Sequence, residues 1–397
     1  VSQQKARKQN YQGFVIAVGF LALALAFSAR TTLGLLMPVW ETELGWTRGF
    51  VSATGAGALV VMAMVAPIAG RLIDRTGPRA ALILGLLGLA IGFFLIATTD
   101  SRLMFAIAFG GISAVAFAFM STGVVAVAVA RSITHKQGLA TGLATSGATA
   151  GQFIIIPLVA ASIGYMSWRW SVAGIGLACL LLTPFTWTIL GAQGQKSQSR
   201  INQSENSLWL DLLMILRKPA FQLLFWSFLL CGFTTTGVIE THFLPYASFC
   251  GFDPVPSAGA FGLLSAVNMI GMIGAGWLAD KMNRPLLLGS IYLVRGLTFL
   301  LLMSIGSDIQ NLYLFAALFG LVDYATVPIT ASLISSHLGL RVMGLAMGLL
   351  GVGHALGGAA GAFLGGYLFD IYSEYESVWF ASLWLAVLAG VGVFFLR

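Results

Sequence analysis

The segment Gly70-Arg-Leu-Ile-Asp-Arg-Thr-Gly-Pro-Arg79 returns in degenerate form as Gly276-Trp-Leu-Ala-Asp-Lys-Met-Asn-Arg-Pro285, 206 residues further along a chain of 397. The same offset carries Gly138-Leu-Ala-Thr-Gly-Leu143 onto Gly344-Leu-Ala-Met-Gly-Leu349, and Gly147 and Gly151 onto Gly353 and Gly357. Two motif pairs in one register mark a duplication, so the fold must be built from two copies of one half. Each copy of the charged motif lies between long apolar runs, which makes it a short surface loop inside a repeated bundle of membrane helices.

Those runs decide the solvent. With 58% hydrophobic and 9% charged residues and a mean hydropathy of +0.90, the chain lacks the polar surface that a soluble globule of this size shows to water. A crossing needs about 20 apolar residues. Polar punctuation such as Asp100-Ser-Arg102 and Ser307-Asp308 recurs at that interval and predicts twelve spans, near residues 14–39, 48–70, 80–99, 103–130, 138–164, 170–191, 220–247, 257–279, 286–304, 311–336, 342–369 and 377–396. The expected fold is an all-α membrane protein of twelve transmembrane helices in two pseudo-symmetric six-helix bundles. The first bundle is expected over 1–191 and the second over 219–397, with a linker over 192–218. Residues 192–207 of that linker are polar and low in apolar content, as in a solvated connection. Leu208 to Leu216, closed by Arg217-Lys218-Pro219, read as a short helix lying at the membrane interface.

Charge sidedness tests this topology independently. With a cytoplasmic N-terminus, sixteen Lys and Arg residues fall on the inner side and only Arg48, Arg102 and Arg169 on the outer side. That asymmetry is the positive-inside pattern, and it predicts cytoplasmic N- and C-termini. The net charge of +7 therefore reports orientation and contact with the anionic lipid bilayer, and no nucleic-acid partner is expected. The first apolar run is too long for a cleavable signal. Cys179, Cys231 and Cys250 sit in or beside apolar runs, and His135, His242, His337 and His354 are scattered, so no metal site is expected. Neither a P-loop nor a Gly-x-Ser-x-Gly elbow occurs, which argues against an enzyme, a bound cofactor or ATP-driven pumping by this chain.

Twelve spans in two sets of six, with Gly-x-Leu-x-Asp-Arg-x-Gly-x-Arg between the second and third, resemble the major facilitator superfamily over essentially the whole chain. The resemblance implies that Gly70, Asp74, Arg75, Gly77 and Arg79 form a conformational motif. There Gly70 permits close helix approach, and Asp74 pairs with a basic group at a neighbouring helix end, for which Arg131 is placed. The second copy keeps Gly276 and Asp280 but has Asn283 at the second glycine position, so it is expected to be the weaker latch. Leu44-Gly-Trp-Thr-Arg48, Gly138 to Gln152, and Thr241-His-Phe-Leu-Pro-Tyr246 are similar to bacterial monocarboxylate and oxalate/formate carriers. Those carriers usually hold an Arg in the eighth helix and, in the oxalate/formate group, a Lys in the eleventh. Here the eighth span has Asn268 as its polar member, and the eleventh offers His354.

Charge buried in lipid points to the site, because each ionised group near mid-membrane costs about 2.5–3.5 kcal/mol on insertion scales. Four such groups occur: Arg30, Glu240, Arg295 and Asp323. Arg295 and Asp323 lie at matching depths on consecutive antiparallel helices, which predicts a structural ion pair, with Asp323 also a candidate for proton coupling. Arg30 is the candidate ligand for an anion, because a guanidinium stays charged in a dry site and grips carboxylate bidentately. Glu240 is its one acidic neighbour at that depth, hence either a gate partner or a proton-coupling group. Gln152, Asn268, His354 and Tyr324 complete the candidate substrate-binding set. The function these residues imply is secondary transport of a small organic anion, proton-coupled, by rocking of the two halves in the bacterial inner membrane, as a monomer. The alternative is export of lipophilic or zwitterionic compounds such as drugs or siderophores. Against it, Gly147 to Gly151 lacks the Gly-Pro step usual in drug/proton exporters.

Overall fold

The computed structural model describes residues 2–163, 165–201 and 207–396, with the side chains of 2–10, 48, 49, 191–201, 254 and 370 outside the description. Among the described residues every regular element is a helix. Twelve are long and apolar enough to cross a bilayer: α1 (Tyr11–Leu44), α2 (Phe50–Thr76), α3 (Pro78–Thr98), α4 (Arg102–Ser132), α5 (Gln137–Ile163), α6 (Trp168–Leu190), α7 (Pro219–Phe249), α8 (Val255–Ala279), α9 (Arg284–Met303), α10 (Ile309–Leu338), α11 (Met343–Phe369) and α12 (Glu376–Phe394). The twelve predicted runs and these twelve helices coincide one for one.

Local chemistry sets the ends. Pro78 and Pro219 open α3 and α7, where a missing N–H costs nothing. Side chains of Thr47, Ser101, Asn283 and Asp308 accept first-turn amides of α2, α4, α9 and α10, from Phe50 at 3.3 Å, Met104 at 3.4 Å, Leu286 at 3.0 Å and Gln310 at 2.9 Å. Large apolar side chains such as Met64, Ile68, Phe185 and Trp384 remain exposed, the surface that lipid would cover. The sixth helix runs on to Ile201, so part of the expected linker is helical. Residues 202–206 of it lie outside the described residues. The short helix Leu208–Leu216 exposes Leu208, Trp209, Leu210 and Leu216 while burying Asp211 and Ile215, which suits a helix lying in the membrane surface.

The chain forms two compact units. The first gathers Val1–His135, Leu143–Glu205 and Gly339–Gly348, and the second gathers Lys136–Gly142, Asn206–Leu338 and Leu349–Arg397. The run opening α5 thus packs with the second unit, and the run opening α11 with the first. In the first unit α1 packs along α5 and α3 along α6; in the second, α8 packs along α10 and α9 along α12. The duplicated glycines do the same work twice. A Cβ at Gly147 or Gly151 would strike the carbonyls of Phe20 or Ala24 on α1, and one at Gly357 the carbonyl of Leu229 on α7. Gly357→Val is therefore expected to force α7 and α11 apart and lower the thermal midpoint. Gly392→Ala, whose new methyl meets nothing within 4 Å, should keep or raise the midpoint, with a gain in stability of about 0.4–1 kcal/mol. Equal midpoints for the two variants would contradict this packing.

Helix α4 carries a π-helical stretch at Ala106–Ser113 and a break at residues 120–121, and two helices of the second unit are also interrupted at depth. Residues Phe233–Ile239 of α7 are wound as a π-helix, a form concentrated at functional sites. α10 is broken at residues 323–325, between Ile309–Val322 and Thr326–Leu338. Pro328 explains the break, since it has no N–H for the carbonyl of Tyr324 and its ring crowds that carbonyl.

Candidate functional site

The loop motif is a hydrogen-bonding device. Gly77 takes φ +82°, a left-handed turn that favours glycine, and its amide closes on the Ile73 carbonyl at 2.9 Å. This turn leaves Asp74, 6% exposed, aimed at the first turn of α11. Its Oδ1 accepts the Gly344 amide at 2.9 Å and its Oδ2 the Leu345 amide at 2.8 Å. A carboxylate there satisfies two orphan donors and meets the positive end of the helix dipole. Arg131 completes the contact, with Nη2 donating to Asp74 Oδ1 at 2.8 Å, Nη1 to the Ile73 carbonyl at 2.7 Å and Nη2 to the Leu340 carbonyl at 3.2 Å. Close approach is obligatory, because a Cβ on Gly70 would collide with the Gly344 carbonyl and one on Gly344 with that of Gly70. Arg79 lies with its guanidinium 3.6 Å from the centre of the Trp187 ring, and Arg75 is exposed.

The second unit repeats the device with the partners exchanged. Asp280 Oδ1 accepts the Gly138 amide at 2.7 Å and Oδ2 the Leu139 amide at 2.9 Å, at the start of α5. Gly276 and Gly138 exclude a Cβ from each other. Asp74 and Asp280, like Gly344 and Gly138, are 206 residues apart. The second latch is thus no longer in its amide bonds than the first. Asn283 is not a failed turn glycine: at φ −62° it caps α9. What the second latch lacks is the arginine, because the position matching Arg131 is His337, whose Nδ1 lies 2.9 Å from the Leu333 carbonyl.

A polar core joins five helices inside the second unit. Breaking α10 frees carbonyls, and Arg295 of α9, fully buried, donates Nη2 to the Val322 carbonyl at 2.7 Å and to the Asp323 carbonyl, and Nη1 to the Cys231 sulfur at 2.9 Å. The expected Arg295–Asp323 ion pair is therefore corrected. The two residues do meet, but through the main chain, because the break offers the guanidinium oxygens nearer than the carboxylate. Asn268 of α8 serves the other side, donating Nδ2 to Asp323 Oδ2 at 3.0 Å and accepting the Tyr324 amide at 3.1 Å. Asp323, 4% exposed, keeps Oδ1 without a hydrogen-bond partner. The break turns Tyr324 toward α7, where its hydroxyl donates to Glu240 Oε1 at 2.7 Å, and Glu240 is exposed. His354 of α11 lies 3.5 Å by Nε2 from the Thr235 hydroxyl in the π-helical turn.

In the first unit, Arg30 is half-buried, with its guanidinium 4.7 Å from the centre of the Phe27 ring. Among the described residues it makes no ion pair. One residue on, the Thr31 hydroxyl accepts from Gln152 Nε2 at 2.9 Å, which ties α1 to α5 at this level.

The family model described as Major Facilitator Superfamily matches residues 19–362. The chain belongs to the major facilitator superfamily. As a member it is a multi-pass membrane transporter of a small molecule. It is 24% identical over 387 residues to monocarboxylate transporter 13 of Rattus norvegicus, covering 96% of this chain and 87% of the relative. It is 23% identical to the uncharacterised MFS-type transporter YcxA of Bacillus subtilis (strain 168), covering 91% and 88%. The fold is that of the proton:xylose symporter XylE, with a TM-score of 0.74 at 15% identity over 97% of this chain and 95% of that one. It is likewise that of the human organic anion transporter MFSD10, with a TM-score of 0.69 at 18% identity over 96% and 99%.

In this superfamily member the sequence candidates divide into three groups. Gly70, Asp74, Arg131, Gly276 and Asp280 meet the helix ends of α11 and α5. Asn268, Arg295, Asp323, Tyr324 and Glu240 form one hydrogen-bonded set, from which His354 stands one contact removed. Arg30 and Gln152 belong to the first unit and Glu240 to the second. Cys231 was missed as a partner of Arg295. Its signal was faint, a lone buried cysteine just before the π-helical turn. The Tyr324–Glu240 bond had a clearer one, since Pro328 marks the break that turns the tyrosine.

Proposed function

We propose that this transporter moves a small organic anion of the carboxylate class, coupled to protons, by alternating access of two bodies near 1–191 and 219–397. The observation that carries this function is Arg30. A guanidinium is always charged, it is half-buried in a membrane helix against the Phe27 ring, and among the described residues it makes no ion pair. Charge kept in that setting calls for an anionic guest. Glu240, reached by solvent and held by Tyr324, is the proposed proton-binding group. The names of similar proteins, a monocarboxylate transporter and an organic anion transporter, support the same class. Two others are named as proton symporters. The bacterial relative and the positive-inside pattern support placement in the inner membrane with both termini cytoplasmic.

The test is a thermal-shift screen of the purified protein against small monocarboxylates, siderophores and lipophilic cations. A ligand that binds only the folded state raises the apparent midpoint by mass action. A carboxylate is expected to raise it, and the shift should vanish in Arg30→Ala. A shift given only by lipophilic cations would instead favour export of lipophilic compounds.

A further inference from the structure

A helix that breaks inside a membrane leaves carbonyls that no water can satisfy, and such breaks elsewhere recruit a bound cation. The break in α10 has the makings of a cation niche. Two main-chain oxygens, Val322 O and Asp323 O, converge on one point. The Asp323 carboxylate belongs to the same broken turn, with Oδ2 held by Asn268 and Oδ1 lacking a hydrogen-bond partner. The Thr326 hydroxyl follows at the restart of the helix, 3.7 Å from the Cys231 sulfur. These are hard oxygen donors of the kind that hold an alkali cation. The position is already taken by Arg295, which is fully buried and spans from the Cys231 sulfur to both carbonyls.

We propose that the Arg295 guanidinium is a built-in cation, seated where a sodium ion would sit at a broken helix, so that the break binds no sodium in this transporter. Arg295 then acts as a positioning residue. It stabilises the bent form of α10 and so holds Tyr324 toward Glu240, without itself touching substrate. A fixed, non-exchangeable cation cannot be driven by an ion gradient. On the proposed reading of proton coupling, which this inference deepens, the coupling charge therefore moves on and off a carboxylate and not through the niche. Removing the side chain should expose a pocket of guanidinium shape and of the right sign for a small planar cation.

The experiment is thermal unfolding of the purified protein in detergent with equal millimolar sodium, choline or guanidinium chloride. The unmutated protein is expected to unfold at the same temperature in sodium and choline. Arg295→Ala should unfold several degrees lower in choline and recover part of that loss in guanidinium, while the unmutated protein gains nothing from guanidinium. Stabilisation of the unmutated protein by sodium over choline would overturn the proposal, as would an Arg295→Ala protein that guanidinium leaves unchanged. Should Arg295→Ala fail to fold, the sodium comparison on the unmutated protein still decides, and Arg295→Lys, which keeps a charge at the break, should fold and remain indifferent to sodium. No transport is measured, so a failure of proton coupling would show in uptake and leave this result standing.

Discussion

Arg30→Ala should abolish carboxylate binding while leaving the protein folded. The guanidinium makes no ion pair among the described residues and lies half-exposed over Phe27, so truncation breaks no buried structural contact. Losing the charged partner of a desolvated carboxylate costs about 2–5 kcal/mol, on the order of a hundredfold or more in Kd. Arg30→Lys should recover little, since an ammonium keeps the charge without the planar fork. Calorimetric titration of the best carboxylate from the screen, beside the thermal midpoints of the variants, checks both halves of the expectation. A variant that binds as well as the unmutated protein removes the physical basis for an organic anion.

The second large effect belongs to the loop latches. α11 begins in the first unit and continues in the second, so Asp74 grips that helix where it changes units, and Asp280 does the same to α5. Asp74→Asn replaces one acceptor oxygen by a donor facing an amide and removes the charge that meets Arg131 and the helix dipole. The loss is about 2–4 kcal/mol of contact free energy. If alternating access opens this end by releasing both latches, the variant should shift the population toward the state open at the end bearing the motifs, about 30- to 1000-fold in the ratio. Asp280→Asn should act in the same direction by a smaller factor, because its site has His337 where the first has Arg131. Spin-label distances across that end, compared among the two variants and the unmutated protein, measure it. Identical distance distributions would sink the latch as a conformational control.

Much of this was legible in the sequence because its causes are local or periodic. Twelve apolar runs need twelve crossings whatever they pack against, and the 206-residue offset declared the duplication before any contact was known. The Asp74–Arg131 pair was within reach of the resemblance, because both ends are charged and the loop between α2 and α3 is short. What stayed hidden depends on three-dimensional exchange. Gly138 and Gly344 read as small residues in repeated motifs, but nothing in a one-dimensional pattern says that each packs beneath the aspartate of the other repeat. The helix 10 break shows the same limit at finer grain. Depth matching brought Arg295 and Asp323 together, but the break in α10 and the Val322 and Asp323 carbonyls it leaves open decide which oxygens the guanidinium takes. A side-chain pairing rule cannot see main-chain acceptors released by a break.

Uptake of the identified carboxylate into proteoliposomes, with an imposed pH gradient, bears most directly on the central claim that this is a proton-coupled anion carrier. The unmutated protein should accumulate the anion when the outside is more acidic and lose that accumulation when a protonophore collapses the gradient. Glu240→Gln should still bind the anion and exchange it across the membrane, yet accumulate none in response to the gradient. Gradient-independent accumulation by the unmutated protein, or gradient-driven accumulation by Glu240→Gln, would contradict the account.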